Sequence, residues 1–209
     1  MALFITFEGG EGCGKSVQAR ALYRRLSQLA IPTLLTHEPG GTPFGKKVGG
    51  WLKWAEDTNI SPLTELLLFN ASRAQLVSEV IKPNLESGKV VISDRYADST
   101  TAYQGYGRGL DLEMVKAINN TATQGLKPDL VVLLDISAEA GLGRKRAKRQ
   151  DRFEREALAF HQRVRGGYLK MAANDPGRWL VVDASQSKSK VEQIIWQRVS
   201  QLLSSHGKG

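Results

Sequence analysis

Cysteine is almost missing from this 209-residue chain: Cys13 is the only one, so no disulfide can close within it, and a reducing cytoplasm is the expected compartment. No apolar run approaches the ~20 residues that span a bilayer. The opening stretch Ala2–Phe7 is cut short by Glu8 and has no basic stretch before it, so neither a membrane partner nor a signal peptide is expected. Internal repeats and low-complexity linkers are also missing, which favours one domain over 1–209 with a frayed tail at about 204–209. The net charge of +8 is unevenly spread. Between Arg144 and Arg152 six basic residues face one acidic residue, and no aromatic interrupts them. Sites that grip nucleic-acid strands interleave aromatics for stacking on bases. A nucleic-acid partner is therefore not expected, and the run is left to meet a smaller anion.

Apolar runs rich in β-branched residues alternate with helical stretches. Leu3–Glu8, Thr33–His37, Val90–Asp94, Leu130–Asp135 and Trp179–Asp183 read as buried strands. The unbroken apolar character of Val131–Leu134 suits a parallel strand covered on both faces. Helices are expected over Lys15–Gln28, Phe44–Trp54, Pro62–Glu86, Asp111–Thr123, Ala138–Arg149, Glu154–Asn174 and Lys188–Leu203. Ser61 precedes Pro62 as an N-cap, Gly88 closes that helix, and Pro83 should bend its last part. The alternation predicts an α/β fold, three-layered and doubly wound about a five-stranded parallel sheet, of the P-loop NTPase type.

The motif that names that type follows the first strand. Gly9-x-x-x-x-Gly14-Lys15-Ser16 sits between a strand and a helix, as a phosphate-binding loop must. Glycines let consecutive backbone N–H groups converge on phosphate oxygens at a helix N-terminus. Gly9, Gly10, Glu11, Gly12, Cys13, Gly14, Lys15 and Ser16 are thus the expected contacts to ATP phosphates, with Lys15 reaching the β- and γ-phosphates and the Ser16 hydroxyl on Mg²⁺. A carboxylate at the end of an apolar strand should complete the metal site. Asp94 is favoured because Arg95 follows it; Asp135 is the alternative. Cys13, at a helix N-terminus beside Lys15, is either a thiol of lowered pKa or an inert core side chain.

Two P-loop classes drop out. The guanine-reading Asn-Lys-x-Asp of switch GTPases is missing, and so is the signature loop of the much larger transporter ATPases. A small-molecule kinase remains, with a second anionic pocket facing the loop. Glu-Pro-Gly-Gly-Thr at 38–42, Asp-Arg-Tyr at 94–96 with Ala-Tyr-Gln-Gly at 102–105, and Asp-Arg-Phe-Glu at 151–154 supply its parts. With the phosphate loop these motifs resemble the thymidylate kinase family over Phe4 to about Asp183.

The resemblance implies phosphorylation of dTMP to dTDP with Mg-ATP, in dTTP biosynthesis, by a homodimer with helices of the 44–86 region at its interface. It implies that Phe69 stacks on thymine and Arg73 donates to thymine O4. It places Arg95 on the dTMP phosphate, Thr100 and Gln104 on the pyrimidine edge, Tyr103 against the sugar, and Glu11 before the 3′-hydroxyl. On helical spacing alone Phe69 reads instead as core. Another nucleoside monophosphate or deoxynucleoside kinase is the nearest alternative; a nucleotide-dependent nucleic-acid-binding protein, which would bind in a salt-sensitive way, is the remote one.

The acceptor is itself a phosphate with second pKa about 6, so in-line transfer needs no general base. Alignment and charge neutralisation suffice. Some members of the family carry an arginine in the phosphate loop after its acidic residue; others draw arginines from a lid. Gly12 follows Glu11 here, and the basic run falls at the lid, about 141–154, so Arg144, Arg146, Arg149 and Arg152 are the catalytic candidates beside Lys15 and Arg95. The chain departs from most bacterial members in having His37 and Gly49 where arginines are usual, which leads to an expectation of weaker hold on dTMP.

Overall fold

The five apolar runs pair side by side in the computed structural model, which describes residues 2–54, 59–145 and 150–206. Among them one sheet forms, all parallel, in the order β2-β3-β1-β4-β5. Its strands are β1 (Leu3–Glu8), β2 (Thr33–His37), β3 (Val90–Asp94), β4 (Leu130–Asp135) and β5 (Trp179–Asp183), with the bounds expected from sequence. Parallel pairing requires a crossover between strands, and the intervening helices provide it on both faces. Leu3, Ile5 and Phe7 of β1 pack with α1 (Lys15–Gln28) and α9 (Lys188–His206). On the opposite face Phe4 packs with the end of α3 (Pro62–Leu76), and Val131 and Leu133 of β4 pack with α8 (Leu158–Asn174). No helix of the described residues is long and apolar enough to cross a membrane.

The helical stretches follow the expected plan with several differences, and at the C-terminal side α9 runs on to His206, through residues 204–206 that were expected to be frayed. First, α2 (Pro43–Trp54) starts one residue early. Second, the segment from Pro62 does bend, but the break precedes the proline. After α3 the chain widens into a π-helical turn, Val77–Ile81, in which the Lys82 N–H reaches the carbonyl of Val77. It then resumes as α4 (Lys82–Glu86). Pro83 has no N–H for the carbonyl of Glu79, and a wider turn absorbs the mismatch. The Ser61 hydroxyl accepts from the Thr64 N–H, as a capping serine should.

Third, a helix follows β3 in a stretch that lies outside the expected helices. Ala97–Thr100 (α5) continues as a π-helical segment, Thr101–Gly107, before α6 (Leu112–Thr123). Fourth, the charged lid is less helical than expected. The described part of α7 stops at Gly143 (Ala138–Gly143), and α8 begins at Leu158 rather than Glu154. Asp151 explains the second shortening: its carboxylate accepts from the N–H groups of Phe153 and Glu154, both at 3.0 Å, and commits Asp-Arg-Phe-Glu to a turn.

Register sets the site. Phe7 on β1 lies opposite Asp94 on β3, so β1 ends one residue beyond β3, where the order of the sheet reverses. Open parallel sheets bind ligands at such a switch point.

Candidate active site

Between β1 and α1 the phosphate loop turns at Gly12, whose φ is +68°. A Cβ at Gly12 would stand 2.0 Å from the carbonyl oxygen of Gly141 on α7, and one at Gly141 would stand 2.2 Å from the carbonyl oxygen of Glu11. Loop and lid base therefore touch backbone to backbone, and an arginine in the loop at position 12 has no room. Lys15 curls over the loop, its Nζ donating to the carbonyls of Gly9 (2.9 Å) and Gly10 (2.7 Å). Cys13 is 3% exposed and packs in the core beneath the loop. Its sulfur accepts from Lys15 Nζ at 3.4 Å, which places it as an inward-facing side chain.

The Ser16 hydroxyl donates to the carboxylate of Asp94. Asp135, the alternative metal partner, is taken by Arg165, which grips it with two hydrogen bonds of 2.7 and 2.8 Å. Among the described residues no cluster of three or more His, Cys, Asp or Glu gathers as a protein-built metal cage. Two hard side-chain oxygens at the phosphate loop instead fit Mg²⁺, which keeps several waters and shares phosphate oxygens.

A second carboxylate stands at the other side of the loop. Arg95 follows Asp94 with φ +76°, and its N–H is tied to the Phe7 carbonyl at 3.0 Å. That backbone turns its guanidinium onto Glu11 at 2.6 Å, with the Tyr103 hydroxyl donating to the same Glu11 oxygen at 2.7 Å. Lys145 donates to the other Glu11 oxygen at 3.0 Å and also pairs with Glu154. Burial would raise the Glu11 carboxyl, but Arg95, Lys15 and Lys145 together outweigh it and hold it well below the usual range. Glu11 is thus a fixed negative charge within a positive surround.

Glu8, at the end of β1, is fully buried and behaves oppositely. Burial, then the charge of Asp98, pushes its carboxyl up from 4.5 to about 7, against hydrogen bonds from Ser99 and Tyr168 and the charge of Arg95. A folded-state value above the unfolded one means that the native protein holds a proton the unfolded chain releases. Stability contributed by this group is therefore present below pH ~4.5 and lost as pH rises through about 7, on the order of 3 kcal/mol in all. Glu8→Gln keeps the shape, and its amide oxygen still accepts from the Tyr96 N–H, now at 2.8 Å. The variant should lose less stability than the parent between pH 5 and 8 in denaturant titrations. Parallel stability curves over that range would rule the assignment out.

A cleft of about 1200 Å³ runs across these groups. One end passes the phosphate loop towards Ala184, Gln186 and Lys188; the other is lined by Phe69, Arg73, Thr100, Tyr103 and Gln104. Phe69 is partly buried and lies tilted against Phe153, ring centroids 5.7 Å apart, so it is neither wholly core nor free. Arg73 is 1% exposed, and its guanidinium is engaged by Glu38, Asn70, Asn119, the Tyr96 carbonyl and Thr100. Gln104 donates to Glu65 at 2.5 Å. His37 lies over Gly40 at the cleft wall, and Gly49 is buried against Pro39, where a Cβ would come within 3.3 Å of the ring.

Of the four lid arginines, Arg146 and Arg149 lie outside the described residues. Arg144 faces the cleft, its guanidinium reaching the carbonyls of Ala184 at 3.2 Å and Gly12 at 3.5 Å. Arg152 turns away: it donates to Glu65 at 2.6 Å and to the Leu52 carbonyl at 3.0 Å, rather than pairing with its own turn's carboxylates as a local reading would suggest. Sequence reasoning passed over Lys145, Glu65 and Glu38. Lys145 lies within the basic run and Glu38 heads the Glu-Pro-Gly-Gly-Thr motif, which are the signals that could have found them; Glu65 carries no local signal.

The model of the family described as thymidylate kinase matches residues 7–195. A curated thymidylate kinase of Dehalococcoides mccartyi is 58% identical over 203 residues, spanning 97% of this chain and 98% of the relative. One from Trichlorobacter lovleyi is 48% identical, spanning 92% and 94%. The crystal structure of thymidylate kinase from Ehrlichia chaffeensis superposes with a TM-score of 0.78 at 32% identity, covering 95% of this chain and 98% of that one.

Proposed function

Because the chain belongs to the thymidylate kinase family, and so is an enzyme that phosphorylates dTMP, we propose that its cleft holds two nucleotides end to end. ATP lies along the phosphate loop with Gly9–Ser16 around its phosphates, and dTMP lies between Phe69 and Arg95. The observation that carries this reading is the Arg95–Glu11 pair at 2.6 Å, which lines the same cleft as the phosphate loop and Phe69 and so offers fixed charge where an acceptor phosphate and a transferred phosphoryl group would meet. Arg95 and Lys15 supply fixed positive charge there. Glu11 repels a misplaced phosphate and faces the sugar. Phe69 offers a ring face to the base, with Arg73, Thr100 and Gln104 along its edge and Tyr103 against the sugar.

A dianionic acceptor phosphate attacks in line without a base, so the side chains act by alignment and by neutralising charge. Ser16 and Asp94 would hold Mg²⁺, whose chemistry when bound is to neutralise charge on the donor phosphates. Among the lid arginines Arg144 is the described one best placed to add charge, since it already lies on the loop; Arg146 and Arg149 share the candidacy by their place in the run, and Arg152 supports the lid from behind. The lid at about 141–154 belongs to one kinase domain over 1–209. A homodimer is supported by the apolar surface of α2 and α3, where Phe44, Trp51, Leu63 and Leu67 stand exposed, Trp51 by 59%. The cytoplasm is the compartment that suits an ATP-dependent enzyme with one buried free cysteine.

An acceptor panel of dTMP, dUMP, dCMP, dGMP, AMP and thymidine with Mg-ATP tests the reading. dTMP should give the highest kcat/KM. A higher value for thymidine or for a purine nucleotide would overturn the pocket assignment.

A further inference from the structure

Glu65, on α3, is fully enclosed, and four hydrogen bonds from three side chains converge on it. Gln104 Nε2 (2.5 Å) and Arg108 Nε (3.2 Å) donate to Oε1; Arg108 Nη2 (3.2 Å) and Arg152 Nη2 (2.6 Å) donate to Oε2. A carboxylate held between two guanidinium groups only accepts hydrogen bonds. The Gln104 amide must therefore present its NH₂ to Glu65, and its carbonyl oxygen is turned the other way. Among the described residues Gln104 makes no other side-chain hydrogen bond, and it lines the cleft.

Beside it the wall has the opposite character. Arg73 can only donate, and its Nη2 already gives a hydrogen bond to the Thr100 hydroxyl at 2.7 Å, which leaves that hydroxyl's own proton to be passed on. The edge of the pocket thus offers donors next to an acceptor. Thymine and uracil present the complement, an acceptor O4 beside a donor N3–H. Cytosine presents the reverse, a donor amino group beside an acceptor N3, so donors would meet donors and acceptor would meet acceptor.

We infer that Glu65 is a specificity-setting positioning residue: by locking the amide of Gln104 it makes that side chain an acceptor, and so excludes cytosine from the acceptor pocket. This rests on the dTMP reading above. Glu65 touches no substrate; it acts through Gln104, with Arg108 and Arg152 holding its charge in place.

The test is the ratio of kcat/KM for dTMP to that for dCMP, with dUMP as control. In Glu65→Gln the residue can donate to the Gln104 carbonyl, the amide is free to turn over, and the dTMP/dCMP ratio should fall by about tenfold or more, since unmatched polar groups are what a site of this kind uses to reject an analogue. The dTMP/dUMP ratio should stay within about twofold, because those bases share one edge. Removing a buried charge between two arginines strains the fold, so Glu65→Gln/Arg152→Gln, which lowers both charges together, is measured alongside, with circular dichroism and melting to confirm folding. An unchanged dTMP/dCMP ratio in the folded variants would overturn the inference. So would an equal change in both ratios, which marks a pocket merely loosened. Failure of the unmodified enzyme to prefer dTMP over dCMP would instead sink the functional reading, and it is seen before any variant is made.

Discussion

Lys15→Met should lower kcat by about two to three orders of magnitude while leaving the fold standing. The side chain's hydrogen bonds are to the loop itself: the carbonyls of Gly9 and Gly10 at 2.9 and 2.7 Å and the sulfur of Cys13 at 3.4 Å. None is an ion pair, and no buried carboxylate depends on Lys15 alone, because Glu11 keeps Arg95 and Lys145. The structural loss is therefore three hydrogen bonds to neutral acceptors of the loop. The catalytic loss is larger, since a desolvated ammonium aimed at developing phosphoryl charge has no replacement within the loop, where Gly12 excludes a loop arginine. Lys15→Arg should not restore activity, because a planar guanidinium cannot reproduce a compact ammonium curled over two carbonyls. Steady-state kinetics with dTMP and ATP, with melting temperatures for each variant, give the answer. A methionine variant retaining kcat within tenfold of the parent would remove Lys15 from the phosphoryl site.

The strands were legible because a buried parallel strand needs an unbroken apolar run, and that pattern has sharp ends at Glu8, His37, Asp94 and Asp135. The phosphate loop was legible because its glycines and lysine act through the backbone at fixed spacing. The helices blurred where side chains compete with the backbone. Asp151 spends its carboxylate on two N–H groups and starts a turn that helical periodicity alone does not reveal. Thr101–Gly107 is π-helical, a geometry with no spacing of its own in the sequence.

The site was half legible, and the dividing line is whether a motif marks both partners. Ser16 and Asp94 stand 78 positions apart, yet each belongs to a motif and the two could be paired in advance. Pairs with an unmarked partner could not: Arg152 finds Glu65, 87 positions away, and Arg73 finds Glu38, 35 positions away. The basic run illustrates the consequence. It looked like one supply of arginines for the phosphates, yet its described members divide between tasks. Arg144 lies on the loop, Lys145 bridges Glu11 and Glu154, and Arg152 braces the carboxylate that orients Gln104. Charge density in sequence predicts that an anion is near, but only the fold decides which cation meets it.

Arg73→Met should destabilise the protein by about 3–5 kcal/mol, the cost of stripping one partner from a buried ion pair. Side chains of Arg73 and Glu38 are 1% and 3% exposed and meet at 2.7 Å. Methionine fills much of the space but offers no donor, so Glu38 is left enclosed and uncompensated, together with the oxygens of Asn70, Asn119 and Thr100. The pH dependence separates this cause from lost packing. Burial already raises the Glu38 carboxyl, against the pull of Arg73. Without that pull it rises further, so the folded variant holds a proton that its unfolded chain gives up, and its stability falls as pH rises. The deficit relative to the parent should be smaller at pH 5 than at pH 8. Glu38→Gln/Arg73→Met should recover part of the loss at neutral pH, since an amide has no charge to desolvate, and the double-mutant cycle measures the coupling. A deficit below ~1 kcal/mol, or one equal at both pH values, would count against the buried pair. Because one guanidinium both neutralises Glu38 and holds Thr100 at the pocket edge, loss of stability and loss of dTMP affinity should appear together. A variant that kept its stability and lost only affinity would assign Arg73 to the base alone.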